Sequence, residues 1–509
     1  MSFIIKDHEN KISNLGKIYV NSAQISSFKF HQTVYTMNSY KIYSAGEFVS
    51  TKTILEVKNS FTNKVFATTF LAGKEELENS INKAEEVKNN LKHLPSFQYY
   101  EILMQIAEEI GKNKNHLSTV LAQEACKPLK YAIGEIERAK QTFIIAAEEA
   151  KRLPKEYFSI DWTPSGQNKE GLVKYFPIGL IAGISPFNFP LNLAAHKIAP
   201  AIASGNPIIL KPARSTPLSV LELAKIIDNT SLPKGAVSIL PMDRDSGNQL
   251  VTDERFKMLS FTGSPEVGWE MKKNAGKKKI ALELGGNAGV IISNSADINK
   301  AVSKCVIGSF AYSGQVCIHL QRIYVEENIF NEFIQKFVDA VKNLKTGHPS
   351  DINTDISSMI DEENVIRVEK WVNEAVSDGA KILCGGKRKG TLYEPTIITN
   401  TKPNMNVCAL EIFGPVVTIE NFSEFNNAIN EINNSQYGLQ AGVFTNKISE
   451  MDLAFDKLEV GGVIINDIPT FRVDHMPYGG IKDSGLGREG VKYAIREMME
   501  PKLMVKNIL

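Results

Sequence analysis

The chain has 509 residues, and two large domains are expected because single hydrophobic cores stop growing near ~250–300 residues. Hydrophobic residues make up 43% of the chain and charged residues 23%, which is typical of globular proteins and excludes a disordered or fibrous chain. The formal net charge of +1 gives neither a basic surface nor an acidic tail, so a nucleic-acid partner is not expected.

The cysteines and the N-terminal residues bear on the cellular compartment. Five cysteines are scattered and never form a CxxC pair, which disfavours disulfides and zinc and favours the reducing cytoplasm. The first 17 residues carry early acidic side chains and no long apolar run, so no signal peptide is expected. The uncharged stretch 175–195 contains prolines and asparagines that disfavour a membrane helix, and we expect buried strand and loop there.

In chain order, residues 1–45 lack clear periodicity and are expected to form an N-terminal arm. From Lys74 to Arg152, apolar residues recur at helical spacing, which predicts successive amphipathic helices. After Gly171, short apolar runs alternate with helical segments, which predicts parallel strands buried on both faces and an α/β fold. These runs are GLIAGIS, NPIILKPA, AVSILPM, FKMLSFTG, IALELGG, VIISNS, RIYVEE, GLQAGVFTN and GGVIIND.

Two strand ends carry residues suited to a dinucleotide. Gly263 and Ser264 form a turn into a helix that starts with Pro265, and its free N–H groups suit a pyrophosphate. The segment lacks the GxGxxG spacing, and a plain connection remains an alternative. Lys211 and Arg214 lie at the carboxyl end of another buried strand and suit a ribose and a phosphate, although two solvated cations are the simpler interpretation.

Two further residues suit general-base and nucleophilic chemistry. Glu283 is an isolated carboxylate in an apolar run that two glycines end, and burial would raise its pKa towards that of a general base. A glutamate on the polar face of a strand explains the pattern equally well. Cys317 lies in a turn of small residues where a thiolate would be accessible, although most lone cysteines are inert core residues.

Together these segments resemble the aldehyde dehydrogenase superfamily, in its lactaldehyde and non-phosphorylating glyceraldehyde-3-phosphate dehydrogenase-like branch. The resemblance runs from about residue 45 to the C-terminus and is carried by SPFNFPLNL, LKPA, SFTGS, LELGG, GQVC, EIFGP and PYGGIKDSGLGREG. It implies an α/β fold with a Rossmann-type dinucleotide-binding domain (46–152 and 175–285) and a catalytic domain (286–475). A small oligomerisation element (153–174 and 476–509) would support a homodimer or homotetramer.

The resemblance also implies an activity, which is oxidation of an aldehyde to a carboxylic acid with NAD or NADP. Cys317 matches the nucleophile that forms a thiohemiacetal and then a thioester. The side-chain amide of Asn188 and the backbone N–H of Cys317 match the oxyanion hole. Glu283 matches the base that activates water for thioester hydrolysis, which favours a free acid over transfer of the acyl group to coenzyme A.

Cofactor residues follow from the same resemblance. Lys211 and Glu411 match residues that hold the two riboses, and Phe413 would pack near the nicotinamide. The remaining matches in this pocket are the pyrophosphate turn (Gly263 and Ser264), Val267 against the adenine, and Ala213. Members that prefer NAD often have glutamate after KPA, whereas this chain has Arg214, which makes use of NADP plausible.

The substrate is expected to be a small aldehyde, and a short anionic one fits the loop that precedes YGG. Arg472 and His475 in that loop could hold an anionic group, with Phe189 near the substrate, although a surface loop with a salt bridge is an equal explanation. Two other functions stay open from the sequence. One is a cysteine hydrolase that uses Cys317 and His319, and the other is a non-catalytic scaffold.

Overall fold

The computed structural model describes residues 38–508, so the expectation for residues 1–37 lies outside the described part of the chain. The described helices are α1 (Lys74–Lys92), α2 (Ser96–Lys112), α3 (Lys114–Glu124), α4 (Leu129–Ala150), α5 (Pro190–Ala203), α6 (Leu218–Asp228), α7 (Arg244–Thr252), α8 (Pro265–Asn274), α9 (Ile298–Phe310), α10 (Glu327–Lys342), α11 (Glu362–Ser377), α12 (Asn406–Ala409), α13 (Phe425–Asn433), α14 (Ile448–Lys457) and α15 (Val491–Glu497).

The described strands are β1 (Asn38–Ser39), β2 (Ile42–Ser44), β3 (Glu47–Val49), β4 (Thr53–Asn59), β5 (Lys64–Leu71), β6 (Lys155–Ser159), β7 (Lys169–Pro177), β8 (Ile181–Ile184), β9 (Ile208–Lys211), β10 (Val237–Ile239), β11 (Met258–Thr262), β12 (Lys279–Glu283), β13 (Ala288–Ile292), β14 (Leu320–Glu326), β15 (Lys381–Cys384), β16 (Arg388–Lys389), β17 (Leu392–Tyr393), β18 (Thr396–Thr399), β19 (Val416–Phe422), β20 (Tyr437–Gly438), β21 (Gln440–Phe444), β22 (Gly462–Ile465), β23 (Ile481–Lys482), β24 (Gly485–Leu486) and β25 (Met499–Asn507).

The first large sheet has eight strands in the order β24-β12-β11-β8-β9-β10-β2-β3. Strands β8 to β12 are mutually parallel, whereas β24 and β2 pair antiparallel at the two sides of that parallel core. The chain runs outward from β8 through β9 to β10 and then returns to β11 on the other side of β8. This reversal is the topological switch point, outside which open α/β sheets bind their ligands.

The second large sheet has seven strands in the order β15-β18-β19-β14-β13-β21-β22. Its strands are parallel except for β15. Strand β12 of the first sheet is connected to β13 of the second by residues 284–287 alone. This short connector holds one end of each sheet close to the other.

Two smaller sheets complete the main architecture. Strands β25, β7 and β6 form an antiparallel sheet, and β1, β5 and β4 form another at the N-terminal end of the described chain. The division of residues 38–508 into a dinucleotide-binding domain, a catalytic domain and an oligomerisation element stays a prediction. Residues 42–44, within the predicted arm, form β2 of the eight-stranded sheet.

The predicted succession of amphipathic helices between Lys74 and Arg152 is confirmed as α1 to α4. In α2, residues 99, 102, 103, 106, 107 and 110 are buried, which places them on one face at helical spacing. Each apolar run that predicted a strand contains one, from β8 to β14 and in β21 and β22. The large cores lie between these sheets and their covering helices.

The stretch 175–195 is strand and loop only as far as Phe189, and the expectation is wrong beyond that residue. Pro190 begins helix α5, since a proline at the first helical position needs no backbone hydrogen bond and has a suitable φ. Within residues 38–508, no helix is long and apolar enough to cross a membrane. The cytoplasmic location stays a prediction.

Candidate active site

The site lies where the carboxyl ends of the first sheet's strands meet the amino ends of the second sheet's strands. Asn188 follows β8, and Glu283 ends β12. Cys317 precedes β14 on the other side of the junction. The backbones are very close there, because a Cβ atom on Gly286 would lie 2.5 Å from the carbonyl oxygen of Cys317. Glycine is therefore required at this position of the connector.

The turn that carries Cys317 has an unusual backbone. Tyr312 and Ser313 have φ values of 50° and 54°, in the left-handed region that non-glycine residues rarely occupy. Side-chain bonds hold the turn in place, since Tyr312 donates to the carbonyl of Ala125 at 3.0 Å and Ser313 donates to the carbonyl of Ser357 at 2.8 Å. The turn thus presents the thiol on a fixed backbone.

The Cys317 thiol is half-buried among Phe189, Val316, Ile318, Leu439 and Tyr478. Its sulfur lies 2.9 Å from the hydroxyl oxygen of Tyr478. Burial raises the pKa of the thiol to about 11, while the Tyr478 hydrogen bond and the charge of Arg472 act in the opposite direction. The backbone N–H of Cys317 donates to no residue in the described chain, so it is free to bind a substrate oxygen.

Asn188 lies beside this turn and is buried. Its side-chain amide donates to the carbonyl of Gln315 at 2.9 Å, which uses one of two N–H groups and leaves the other for a ligand. The carbonyl of Asn188 accepts from the buried ammonium of Lys127 at 2.5 Å. Lys127 also pairs with the buried carboxylate of Glu135. A buried ion pair therefore holds the Asn188 backbone.

Glu135 holds the other side of the same segment. Its Oε1 accepts from the backbone N–H groups of Leu191 and Asn192, at 3.0 and 3.1 Å, in the first turn of α5. The carboxylate thus satisfies donors that a helix start leaves unpaired. Lys127 lies 3.6 Å from the ring centre of Phe189 as well, so that this aromatic side chain is fixed beside the thiol.

Glu283 is buried with one carboxylate oxygen free. Its Oε1 accepts from the backbone N–H of Glu489 at 3.2 Å, whereas Oε2 has no partner among the described residues. Burial raises the pKa of Glu283 well above its ordinary value, and the negative charge of Glu489 adds to the effect. A carboxyl with this pKa and an unpartnered oxygen is suited to take a proton from water.

Glu489 belongs to a buried charge cluster behind Glu283. Its Oε1 lies 3.3 Å from the Lys197 ammonium, and its Oε2 accepts from Arg472 at 3.1 Å. Burial alone would raise the pKa of Glu489, but Lys197, His196 and Arg472 hold it at about 2. The alternative interpretation of Arg472 was a salt bridge in a surface loop. Arg472 does form a salt bridge, with Glu489, but its side chain is only 5% exposed and therefore does not lie at the surface.

The residues expected to hold a dinucleotide surround the switch point. Lys211 ends β9 and Ala213 follows it, while Gly263 and Ser264 follow β11. Burial lowers the pKa of Lys211, and the positive charge of Arg214 adds to that shift. Ser264 precedes Pro265 of α8 as expected, and its side chain does not cap the helix, which leaves the first-turn N–H groups available to an anion.

This arrangement fits a dinucleotide, with an exposed arginine, a half-buried lysine and an uncapped helix start at one sheet edge. Val267 is exposed on α8. Glu411 accepts from the backbone N–H of Gly286 at 3.0 Å, and burial raises its pKa to about 7. Phe413 has a φ of 44° and packs edge-on against Phe187, with ring centres 5.8 Å apart.

The structure does not pair the two histidines of interest with the thiol. His319 is buried, and its Nε2 lies 2.8 Å from the carbonyl of Ser309, while Nδ1 has no partner among the described residues. Burial lowers the pKa of His319 to about 4, so it is a poor base for Cys317. His475 is exposed and makes no hydrogen bond with the described site residues.

Sequence reasoning missed five buried side chains of this site: Lys127, Glu135, Lys197, Tyr478 and Glu489. The sequence offered one signal for Lys197: it is the sole lysine or arginine in the apolar helix α5. Tyr478 and Glu489 lie inside the PYGGIKDSGLGREG segment, which carried the resemblance but no residue assignment. Their contacts join segments far apart in the chain, and spacing alone does not indicate them.

Comparison with known proteins identifies the family. The model of the aldehyde dehydrogenase family matches residues 48–504. The chain is 42% identical to 3-sulfolactaldehyde dehydrogenase of Priestia aryabhattai, over 93% of this chain and 99% of that protein. It is 44% identical to lactaldehyde dehydrogenase of Methanococcus aeolicus, over 91% and 99%.

Solved structures agree with the sequence matches. Aldehyde dehydrogenase 21 from Physcomitrella patens, in complex with the reaction product succinate, is 43% identical with a TM-score of 0.92 (93% of this chain, 99% of that chain). Glyceraldehyde-3-phosphate dehydrogenase from Methanocaldococcus jannaschii, complexed with NADP, is 41% identical with a TM-score of 0.86 (89% and 99%). Betaine aldehyde dehydrogenase from Staphylococcus aureus, in complex with NAD+, is 30% identical with a TM-score of 0.88 (92% and 95%). This chain therefore belongs to the aldehyde dehydrogenase family and is an oxidoreductase that oxidises an aldehyde with NAD or NADP.

Proposed function

We propose that Cys317, Asn188 and Glu283 carry out the chemistry of this enzyme and release a free carboxylic acid. The observation that carries the proposal is their convergence at the junction of the two large sheets, from three separate segments of the chain. The Cys317 thiolate attacks the aldehyde carbon, a C–S bond forms, and the carbonyl electron pair moves to oxygen. The Cys317 N–H and the free N–H of the Asn188 amide donate to that oxygen.

The second half of the reaction depends on Glu283. When bound, the nicotinamide supplies the oxidising chemistry by accepting a hydride. Oxidation at the carbon bound to Cys317 leaves a thioester. The free Oε2 of Glu283 takes a proton from a water molecule, which attacks the thioester carbon and breaks the C–S bond. The Cys317 thiolate is thereby regenerated, and the carboxylic acid leaves the site.

We infer that the dinucleotide binds outside the switch point of the first sheet. Lys211 and Glu411 would hold its two riboses, with Ala213 in the same pocket, and the turn at Gly263 and Ser264 would hold its pyrophosphate. Val267 would contact the adenine, and Phe413 would contact the nicotinamide. Arg214 is exposed, and its positive charge lowers the pKa of Lys211. Its exposed guanidinium supports binding of a 2′-phosphate and thus use of NADP.

The substrate that we propose is a short aldehyde with an anionic group. Arg472 stacks on the ring of Tyr478, whose hydroxyl reaches the Cys317 sulfur, so only one aromatic ring separates the guanidinium from the nucleophile. Its Nε has no partner among the described residues. Phe189 supplies an apolar surface beside the thiol. Because His475 is exposed, its predicted contact with substrate has less structural support than that of Arg472.

We also propose a homodimer or homotetramer that assembles through the β25-β7-β6 sheet. Strands β6 and β25 lie at its two edges, and nearly all their residues are exposed. Large apolar side chains are exposed on these strands and in the connection between β6 and β7, including Tyr157, Leu503 and Trp162, at 65%, 53% and 87%. An apolar surface of this kind next to open strand edges favours pairing with another chain.

The hydrolytic role of Glu283 is tested by replacing it with glutamine. Glu283→Gln should still form the thioester but hydrolyse it about 10²–10⁴ times more slowly. Intact-protein mass spectrometry should then find the acyl group on Cys317, with Cys317→Ser as the control that forms no adduct. In the native enzyme, hydrolysis should rise with pH through the raised pKa of Glu283 and then level off. Unchanged turnover in Glu283→Gln would exclude this role.

The cofactor assignment is tested at Arg214. Arg214→Glu removes an attraction and adds a repulsion, so kcat/KM with NADP should fall by roughly 10–100-fold, which corresponds to one charged hydrogen bond. The value with NAD should change little. Arg214→Ala separates lost attraction from added repulsion. A strong preference for NAD in the native enzyme that Arg214→Glu leaves unaltered would contradict the assignment.

The substrate class is tested with matched aldehydes. Succinic semialdehyde should exceed butanal in kcat/KM, and lactaldehyde and a phosphorylated aldehyde complete the panel. Arg472→Met should reduce the ratio between the anionic and neutral substrates by roughly tenfold or more, because it removes a charged donor. The ratio is the useful quantity, since any effect on the thiol is shared by both substrates. Higher activity with neutral long-chain aldehydes would disprove the proposal.

The assembly surface is tested by light scattering during gel filtration. The native chain should have the mass of a dimer or a tetramer, and Leu503→Asp should shift it towards smaller species because it places a charge on an apolar interface. Lys502→Ala, at the neighbouring position of β25, is the matched control that keeps the apolar side chain. A native chain that stays monomeric at all concentrations would refute the proposal.

A further inference from the structure

The Tyr478 hydroxyl is held directly against the proposed nucleophile. It lies 2.9 Å from the Cys317 sulfur, and Tyr478 is only 3% exposed. Two backbone bonds with Glu489 fix the segment, because each residue's N–H donates to the other's carbonyl, at 2.9 and 2.6 Å. The contact is therefore made by a rigid side chain and not by an exposed one.

Arg472 packs against the face of the Tyr478 ring. Its guanidinium carbon lies 3.6 Å from the ring centre of Tyr478, and the same guanidinium donates to Oε2 of Glu489 at 3.1 Å. Glu489 thus anchors Tyr478 through its backbone and Arg472 through its side chain. A cation on the face of a phenol ring draws electron density from the ring and makes the O–H group a stronger donor.

The direction of this hydrogen bond follows from the acidity of the two groups. Burial raises the pKa of Tyr478 well above its ordinary value, so the phenol keeps its proton. The reactive form of Cys317 is the thiolate, which has no proton to give. Whenever the sulfur is reactive, the hydroxyl must therefore be the donor and the sulfur the acceptor.

We propose that Tyr478, strengthened by Arg472, is a catalytic residue that donates a hydrogen bond to the Cys317 thiolate and so offsets the effect of burial on this sulfur. The proposal rests on the proposed role of Cys317 as nucleophile. The other ionisable groups that face the sulfur are Glu411 and Glu283, and both carboxylates oppose the thiolate. Tyr478 is faced by Arg472 and Glu283 as well as by the thiol. Tyr478 and Arg472 are thus the groups facing the sulfur that favour its charge.

The benefit to the reaction is moderate because two effects compete. Each unit by which the pKa of a thiol falls towards ambient pH gives about ten times more thiolate, but the thiolate becomes roughly threefold less nucleophilic. The net gain is about threefold per unit while the pKa stays above ambient pH. A hydrogen bond to a charged group corresponds to roughly one to two units, so Tyr478 should contribute about 3–10-fold.

The test measures the thiol without substrate or dinucleotide. Iodoacetamide is a small neutral reagent from which the thiolate displaces iodide, and peptide mass spectrometry follows Cys317 separately from the other four cysteines. In Tyr478→Phe, which keeps the ring beneath Arg472, the midpoint of the pH–rate curve should rise by about one to two units. At pH values below the midpoint of the native enzyme, Cys317 of Tyr478→Phe should be alkylated about 3–10-fold more slowly than Cys317 of the native enzyme.

Two further variants make the result decisive. Arg472→Met keeps the hydroxyl but removes the cation, and it should shift the midpoint in the same direction by less. Tyr393→Phe removes a buried hydroxyl that has no partner among the described residues, and it should leave the curve unchanged. A midpoint that stays constant or falls in Tyr478→Phe would overturn the proposal. If that variant does not fold, 3-fluorotyrosine at position 478 takes its place, because its more acidic hydroxyl is a stronger donor of nearly the same shape. It should lower the midpoint, and an unchanged midpoint would overturn the proposal.

The same experiment distinguishes this proposal from the proposed function. Aldehyde oxidation that persists in Cys317→Ser would reject the role of the thiol, whatever the pH–rate curves show. Conversely, an inactive Cys317→Ser together with an unshifted Tyr478→Phe curve would preserve the nucleophile and reject only the tyrosine. The experiment also distinguishes an effect of Arg472 on the thiol from a role of Arg472 in substrate binding, because no substrate is present during alkylation.

Discussion

The site depends on the four-residue connector between β12 and β13, because it joins the two large sheets and carries the contacts between their facing ends. Gly286 in this connector touches the carbonyl of Cys317 so closely that a side chain would not fit. Its N–H donates to Glu411, and the carbonyl of Asn287 accepts from Arg322 at 2.9 Å. Glu283 directly precedes the connector, so the same few residues set the positions of Glu283, the turn that carries Cys317, and Glu411.

Buried ion pairs fix other segments of the site that lie farther from the connector. Lys127 and Glu135 hold the segment of Asn188, while Lys197 and Arg472 hold Glu489. Removing one member of such a pair leaves an uncompensated buried charge, which typically costs about 3–5 kcal/mol. The pairs thus couple the position of each reacting side chain to the stability of the fold, although replacing a whole pair by apolar residues can be neutral for stability.

Much of the fold was predictable because it depends on local patterns. Helices α1 to α4 follow from apolar residues at helical spacing, and β8 to β14, β21 and β22 of the two large sheets follow from short apolar runs. The other strands of these sheets were not predicted. Cys317 and Glu283 were singled out from their local sequence and Asn188 from the family resemblance, and the roles of all three stay predictions. The start of α5 at Pro190 was missed because the flanking prolines and asparagines also suit a loop, and burial of the whole helix decided the outcome.

The supporting side chains were not predictable, since their roles arise from contacts across the fold. Lys127 meets Asn188 from 61 positions away, and Tyr478 meets Cys317 from 161 positions away. His319 shows conversely that residues close in sequence need not be paired in space. It lies two residues from Cys317 in the chain, but its Nε2 bonds to the carbonyl of Ser309. Spatial pairing in an α/β fold is set by sheet order, which single-sequence patterns do not give.

The buried charges at the junction also bear on the order of the reaction. Lys197, Arg472 and Glu489 together carry one net positive charge, so with Glu283 neutral they can match one additional negative charge nearby. A charged Glu283 raises the pKa of the Cys317 thiol, and each anion therefore disfavours the other. Acylation removes the charge from sulfur, and that loss favours ionisation of Glu283. In the proposed mechanism, the thiolate would thus be favoured when Cys317 attacks the aldehyde, and the Glu283 carboxylate would be favoured when the thioester must be hydrolysed.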